Sequence, residues 1–187
     1  MGTVTLLRHG RTDANALGLL QGRVDNPLDS AGLAQAARAA EVIGPVTRII
    51  SSPLLRAQQT AAAFAESMVL DERWAELDYG EWDGLPIGDL PPGTWDRWKA
   101  DLDLRPPGGE TLRELSARVR AALDALQVEP DEHVLVVSHV SPIKAGVAWA
   151  LGVDDSVAWR THLTTGSYCT VRLGGAAPVL TAFNVIP

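Results

Sequence analysis

The chain has 187 residues, a hydrophobic share of 46% and a formal net charge of −7 at pH 7, which together predict a single globular domain over residues 1–187. It lacks any apolar run near the roughly 18 residues of a membrane span, and its basic residues are scattered, which argues against membrane insertion and nucleic-acid binding. One cysteine cannot form an internal disulfide, and no signal peptide is visible, so the sequence indicates a cytoplasmic protein.

The first half of the chain alternates apolar runs with alanine-rich stretches. The elements predicted in order are a strand over 4–7, a helix over 30–44, a strand over 46–52 and a helix over 53–68. Ser30 and Ser52 are the expected N-caps of the two helices, and Gly44 is the expected stop of the first. Arg8 and His9 follow directly after the first predicted strand.

The second half begins with an irregular stretch that is rich in glycine, proline and tryptophan. The predicted elements are a short helix around 94–102, a helix over 111–126, a strand over 133–139, a helix over 141–153 and strands over 167–175 and 178–186. Thr111 and Glu114 form a capping box, and Ser141 is the expected N-cap of its helix. Trp95 and Trp98 are predicted to belong to a packed lid.

This alternation predicts an α/β domain with a largely parallel sheet and an antiparallel hairpin at its edge. Arg8, His9, Arg56 and His139 all lie at, or within one turn beyond, the carboxyl end of a predicted strand. Open α/β sheets bind ligands at those ends, where helix N-termini also favour anions. We therefore expect two arginines and two histidines to meet at one edge of the sheet.

Five motifs occur in the chain in the order LLRHGRTDAN, SSPLLRAQQTA, ELDYGEWDG, PPGGET and VVSH. In this order and spacing they resemble the histidine phosphatase superfamily, which also holds the cofactor-dependent phosphoglycerate mutases. The resemblance covers nearly the whole chain. It implies a three-layer α/β/α sandwich and a phosphatase that acts on a small phosphorylated metabolite with no metal and no cofactor.

The resemblance also implies a role for each matching residue. His9 attacks phosphorus and becomes phosphohistidine, while Glu76 protonates the leaving alcohol and later activates water. The residue types agree, because a neutral imidazole is a nucleophile, and Arg8 and Arg56 carry planar forks suited to phosphate oxygens. Gly10 is expected to let the backbone bend tightly beside the imidazole. Further phosphate contacts are expected from His139, Asn15, Gln21 and Gly22.

Hydrolysis is not the only activity that these residues allow. A mutase would use the same groups, but mutase relatives are longer, with an insertion after the segment that carries the acid and an extended C-terminal tail. The corresponding segment of this chain, residues 85–102, is short, and the sequence ends at Pro187 directly after the last predicted strand. Hydrolysis is therefore favoured. A phospho-ligand binding module without catalysis and a metal-dependent hydrolase stay open as well, although no HxxEH or HExxH spacing is present. Three further carboxylates lie close to Glu76 in sequence, so a purely structural role for Glu76 stays open. For Asn15 and Gln21, the open alternative is that their side chains only stabilise a turn.

The chain departs from the family pattern directly after its second histidine. Relatives commonly have glycines there, whereas this chain has Val140, Ser141 and Pro142. The bulk of Val140 and the stiffness of Pro142 predict a reshaped leaving-group pocket, with Ser141 or Lys144 in contact with the substrate. The sequence does not distinguish between α-ribazole phosphate, a sugar phosphate, a phosphoglycerate derivative and a broad range of esters as the substrate. It also does not distinguish between a monomer and a homodimer.

Overall fold

A six-stranded sheet and six α-helices dominate the computed structural model, which describes residues 1–65 and 67–187. The strands are β1 (Gly2–Arg8), β2 (Arg48–Ser51), β3 (Val69–Leu70), β4 (His133–Ser138), β5 (Tyr168–Leu173) and β6 (Val179–Val185). The helices are α1 (Asp13–Ala16), α2 (Ser30–Ile43), α3 (Leu55–Ala62), α4 (Thr94–Ala100), α5 (Leu112–Asp124) and α6 (Val140–Leu151). Within the described residues, none of the helices has the length and hydropathy to cross a bilayer.

The strand order is β3-β2-β4-β1-β5-β6. The first four strands in that order run parallel, while β5 pairs antiparallel with β1 and β6 antiparallel with β5. The predicted mostly parallel sheet with an antiparallel edge is therefore confirmed. Its two central parallel strands are in register, with Arg8 of β1 opposite Ser138 of β4.

Both faces of the sheet are covered by helices. Leu6 and Val136 face a core built with α5 and α6, whereas their neighbours Leu7 and Val137 face a second core built with α2 and α3. Side chains alternate across a strand, so a strand that is buried on both faces has a continuous apolar sequence. This arrangement is the three-layer α/β/α sandwich that the sequence implied.

The two helices of the first half do not have the N-caps predicted for them, although α2 covers nearly all of its predicted range. Asp29 caps α2, because its carboxylate accepts the Gly32 N–H at 2.7 Å, and Ser30 is already helical. The predicted helix over 53–68 is shorter, since α3 covers Leu55–Ala62, and the residue at its N-cap position is Leu54 instead of the predicted Ser52. Residue 66 of that prediction lies outside the described residues.

The helices of the second half match better, with one further correction. Thr111 and Glu114 form the predicted capping box of α5. Helix α6 begins at Val140 after His139, so Ser141 lies inside the first turn and is not its cap. Helix α4 covers most of the predicted short helix, and Trp98 within it is 1% exposed and stacked on Trp95 with ring centroids 5.6 Å apart. The predicted packed tryptophans are therefore confirmed.

Candidate active site

His9 and His139 meet at the carboxyl ends of β1 and β4. Because Arg8 and Ser138 are register partners, the residue that follows each of them leaves the sheet at the same level. The His9 N–H donates to the Ser138 carbonyl at 2.9 Å, and the two imidazole centroids are 5.0 Å apart. Parallel pairing thus joins two histidines that are far apart in the sequence.

The imidazole of His9 is held in one tautomer by its neighbour. Nδ1 lies 2.7 Å from the Gly10 carbonyl oxygen, which only accepts hydrogen bonds, so Nδ1 carries the proton and Nε2 carries the lone pair. Burial, followed by the charges of Arg56 and Arg8, holds the pKa of His9 well below its usual value. The ring is therefore neutral at pH 7.

Gly10 is needed for a reason other than the tight bend that we predicted. Its backbone is not in the left-handed region, but a Cβ atom there would collide with the carbonyl of Gly32 at the start of α2. The Gly10 N–H also donates to Thr60 Oγ1 at 3.0 Å. Close approach between the loop after β1 and α2 therefore requires a glycine.

Arg56 is a fully buried cation in the first turn of α3. Its Nη1 donates to the Val24 carbonyl at 2.9 Å and its Nη2 to the Gly22 carbonyl at 2.8 Å. Burial lowers the pKa of Arg56 to about 10, although the negative charge of Glu76 opposes this shift. The guanidinium therefore stays charged at pH 7, and its Nε makes no hydrogen bond within the described residues.

Asp83 is a residue that sequence reasoning did not place in the site. Its carboxylate accepts the N–H groups of Gly22, Arg23 and Val24 at 2.7, 2.7 and 2.9 Å. The loop 22–24 is thus held between this carboxylate on one side and the Arg56 guanidinium on the other. No local pattern could reveal this contact, because its partners are about 60 residues apart in sequence.

The second cation at the site is Arg8. Its Nη1 donates to the Leu163 carbonyl at 2.6 Å, and its Nε has no hydrogen-bond partner in the part of the chain that the structure describes. Burial lowers the pKa of Arg8, whereas the charge of Glu76 raises it. The net charge of the chain is −7, yet two guanidinium groups lie beside one histidine. The site is therefore suited to an anion.

His139 is hydrogen-bonded to Ser52, the serine predicted as a helix cap. Its Nε2 lies 2.7 Å from Ser52 Oγ, which also accepts the Leu54 N–H at 3.3 Å. The Ser52 hydroxyl can donate to Nε2 or accept from it, and Nδ1 of His139 has no partner among the described residues. Burial and the charge of Arg56 hold the pKa of His139 well below its usual value, so the ring is neutral at pH 7.

Glu76 is 2% exposed and lies against the N-terminus of α6. Its Oε1 accepts the Leu77 N–H at 2.7 Å, and its Oε2 lies 3.5 Å from the amide nitrogen of Ser141 in the first turn. Arg118 Nη2 donates to the Glu76 carbonyl at 3.1 Å. The carboxyl group is thus fixed by backbone contacts from two segments and can exchange a proton with a ligand in the cavity.

These groups surround a cavity of about 130 Å³. Five of the predicted site residues line it, namely Arg8, His9, Asn15, Gln21 and Glu76, and Tyr79, which we did not predict, lines it as well. Arg56, His139 and Gly22 are not among its described lining residues, and Arg56 and His139 are fully buried. Within the described residues, no three His, Cys, Asp or Glu side chains are arranged to hold a metal ion.

The side-chain amides of Asn15 and Gln21 differ in their hydrogen bonds. Asn15 Oδ1 accepts the Thr12 N–H at 3.1 Å in a capping box for α1, which is the turn chemistry that stayed open for it. Gln21 Oε1 accepts the Thr12 hydroxyl at 2.8 Å, and its buried Nε2 has no partner among the described residues. Gln21 therefore offers an amide donor at the cavity.

Known proteins resemble this chain over nearly its full length. The family model of the histidine phosphatase superfamily (branch 1) matches residues 4–186. A bifunctional protein of Mycobacterium tuberculosis is 36% identical over 173 residues, which cover 87% of this chain and 48% of that protein. A probable phosphoglycerate mutase (GpmB) of Yersinia pestis is 35% identical over 180 residues, or 90% of this chain and 83% of the relative. The chain thus spans about half the length of the mycobacterial relative.

Solved structures show the same similarity in three dimensions. A mycobacterial glucosyl-3-phosphoglycerate phosphatase, solved with VO3, has a TM-score of 0.89 at 30% identity, covering 97% of this chain and 98% of that one. A phosphoserine phosphatase of Entamoeba histolytica has a TM-score of 0.89 at 28% identity, covering 98% and 97%. The family model matches residues 4–186, a range that includes both histidines, both arginines and the glutamate of the site. The chain therefore belongs to the histidine phosphatase superfamily.

Proposed function

We propose that this protein hydrolyses small phosphate monoesters through a covalent phosphohistidine on His9. The observation that carries the proposal is the state of that imidazole. It is neutral, its Nδ1 proton is committed to the Gly10 carbonyl, and its Nε2 lone pair is beside two guanidinium groups. A nucleophile of this kind can attack a phosphorus atom whose oxygens are held by cations.

In the first step, the His9 Nε2 lone pair forms a bond to phosphorus while the bond from phosphorus to the ester oxygen breaks. The carboxyl proton of Glu76 passes to the leaving oxygen, which departs as an alcohol. Arg8 and Arg56 stabilise the negative charge on the phosphoryl oxygens. We assign the ring proton of His139 to Nδ1, and this N–H and the amide of Gln21 donate to the same oxygens; neither nitrogen has a partner among the described residues.

In the second step, the Glu76 carboxylate accepts a proton from water as the water oxygen bonds to phosphorus. The bond from phosphorus to Nε2 of His9 breaks, inorganic phosphate is released, and both side chains return to their starting states. This cycle needs no metal ion and no cofactor, so we propose that turnover is unaffected by a chelator.

Phosphoglycerate mutase activity is the second candidate, because a relative bears that name. A phosphoglycerate mutase must also hold the short, polar glycerate portion of its substrate. The cavity beside the catalytic one is lined mainly by apolar side chains, and Lys144 is the only charged residue in its described lining. This favours hydrolysis, and the substrate names of the two structural relatives favour a small phosphorylated metabolite as the ligand.

Rapid mixing of the enzyme with a radiolabelled phosphate ester in EDTA tests the proposal. We expect a burst of alcohol, one equivalent of acid-labile phosphate on the protein, and then steady release of phosphate. His9→Asn abolishes the label and lowers turnover at least about 1,000-fold, whereas the exposed His162→Asn retains both. Isomerisation of 3-phosphoglycerate without phosphate release indicates a mutase instead, and bound ester without any label indicates a binding module.

A further inference from the structure

A second cavity of about 170 Å³ adjoins the catalytic one. Tyr79 and Val140 line both cavities, so the two share a wall. Ser141 and Lys144, which the sequence indicated as substrate contacts, line the second cavity only. The alcohol portion of an ester with its phosphorus at His9 can extend into this cavity.

The second cavity is largely aromatic. Trp95, Trp98 and Trp159 contribute three of its walls, with ring centroids 5.6 to 6.4 Å from one another. Four smaller apolar side chains also line it, namely Leu77, Leu112, Val140 and Ala158. An apolar cavity of about 150 Å³ is known to hold one benzene ring. The volume here is therefore sufficient for a single six-membered ring and too small for a disaccharide.

The polar side chains of this cavity include the Lys144 ammonium group, which only donates hydrogen bonds, and the hydroxyls of Tyr79 and Ser141. Lys144 Nζ donates to the Ala158 carbonyl at 2.8 Å, which leaves two of its three N–H bonds, and it forms no ion pair within the described residues. An acceptor on the ligand can satisfy the free N–H bonds of Lys144, whereas the mainly apolar walls leave most hydroxyl groups of a sugar without a hydrogen-bond partner.

We propose that this cavity is a leaving-group subsite for phosphate esters whose alcohol carries one flat apolar ring with a carboxylate or other acceptor at the Lys144 end. The inference rests on the proposed function, because it needs the phosphoryl group to be bound at His9. It makes Trp159 and Lys144 specificity-determining residues that do not take part in the bond-breaking steps.

Three substrates of matched chemistry test the ring preference: benzyl phosphate, ethyl phosphate and glucose 6-phosphate, all esters of primary alcohols. Burial of the phenyl ring predicts a kcat/KM about 30-fold higher for benzyl phosphate than for ethyl phosphate. Glucose 6-phosphate, with a ring of similar size but many hydroxyls, should be no better than ethyl phosphate. A kcat/KM for glucose 6-phosphate that equals or exceeds that for benzyl phosphate overturns the proposal.

The variant Trp159→Leu and its matched control Trp149→Leu test whether the ring of the substrate binds in this cavity. Trp159→Leu should reduce the preference for benzyl over ethyl phosphate about 10-fold. Trp149→Leu, at a half-buried tryptophan that does not line the cavity, should keep the preference. Should Trp159→Leu fail to fold, the substrate series on the unmodified protein still decides the question.

Lys144 is tested with 4-carboxybenzyl phosphate. The unmodified protein should prefer it over benzyl phosphate, and Lys144→Met should reduce that preference about 10-fold, as expected for loss of a partly buried charge pair. Lys99→Met is the matched control, because Lys99 is exposed on α4 and is the only other lysine of the chain. An unchanged preference in Lys144→Met contradicts the role of this residue.

Binding measurements separate failure of this inference from failure of the proposed function. If no ester releases phosphate, the proposed function is wrong, and calorimetry on His9→Asn then tests the subsite alone. Tighter binding of benzyl phosphate than of ethyl phosphate supports the subsite, and equal binding overturns it. If all esters are hydrolysed with equal kcat/KM, the proposed function stands and the subsite is wrong.

Discussion

The tautomer of His9 is set by a single backbone carbonyl. Gly10 fixes the ring proton on Nδ1 at 2.7 Å, and burial beside Arg56 and Arg8 keeps the ring neutral. Ser52 holds the His139 ring through Nε2, which leaves Nδ1 without a partner among the described residues. The lone pair on Nε2 of His9 and the unpaired Nδ1 of His139 carry the two roles that we propose.

Glu76→Gln tests the proposed proton donor at the same scale. The amide keeps the shape of the side chain and can still accept the Leu77 N–H, but it cannot protonate an alkoxide. We expect kcat/KM for ethyl phosphate to fall about 100-fold or more, and that for 4-nitrophenyl phosphate to fall far less, because nitrophenolate leaves without a proton. Glu72→Gln, at an exposed carboxylate nearby in sequence, is the control. Equal losses for both esters mean that another group is the acid.

Among the elements, the loop after β1 and the first turn of α2 are packed backbone against backbone. A Cβ on Gly10 would meet the Gly32 carbonyl, and a Cβ on Gly32 would meet the carbonyl of Arg11. The two glycines thus let α2 lie directly against the loop that carries His9. The position of that histidine depends on this contact as well as on β1.

Gly10→Ala should disrupt the backbone contact between the loop after β1 and the first turn of α2. The added methyl cannot be accommodated without a shift of backbone, and we expect a loss of about 1–3 kcal/mol in the free energy of unfolding, as for overpacking elsewhere. Turnover should also fall, since the Gly10 carbonyl holds the His9 ring. Urea denaturation measures the stability change. Gly88→Ala is the control, because a Cβ there meets open space; an equal loss in both variants would show that the packing contact is unimportant.

The stability of the whole molecule should depend on pH through its buried histidines. The pKa of His9 and that of His139 are held well below 6.5, for both mainly by burial and then by Arg56. Between the folded pKa and about 6.5, only the unfolded chain takes up these protons, so the free energy of unfolding decreases as pH falls below 6.5 and is unaffected by them above it. The slope is at most about 1.4 kcal/mol per pH unit for each histidine.

Urea denaturation from pH 7.5 to pH 5 measures this slope. His9→Asn should roughly halve it, because one of the two buried imidazoles is removed. The carboxylates with a lowered pKa, such as Glu114 at about 2, lose their contribution at a lower pH, so they do not account for a slope in this window. A free energy of unfolding that stays constant from pH 7.5 to pH 5 would contradict burial of both imidazoles in the neutral form.

The sequence by itself determined the fold class, the central strands and the residues that meet at the sheet edge. Those features depend on patterns within short segments, such as the continuous apolar run of β4 and the capping box of Thr111 and Glu114. Arg8, His9, Arg56 and His139 were predictable as one group because parallel strands end at a common edge.

Tertiary structure alone decided what each polar side chain does there. Ser52 and Ser141 fit the pattern of helix caps, but the hydroxyl of Ser52 bonds to His139 and the amide of Ser141 faces Glu76. Asp83 holds the loop that Arg56 also holds, and the tryptophan cavity beside the catalytic one is built from segments far apart in the chain. A hydrogen bond or a cavity wall between distant segments leaves no local periodicity, so it exists only once the layers of the sandwich have packed.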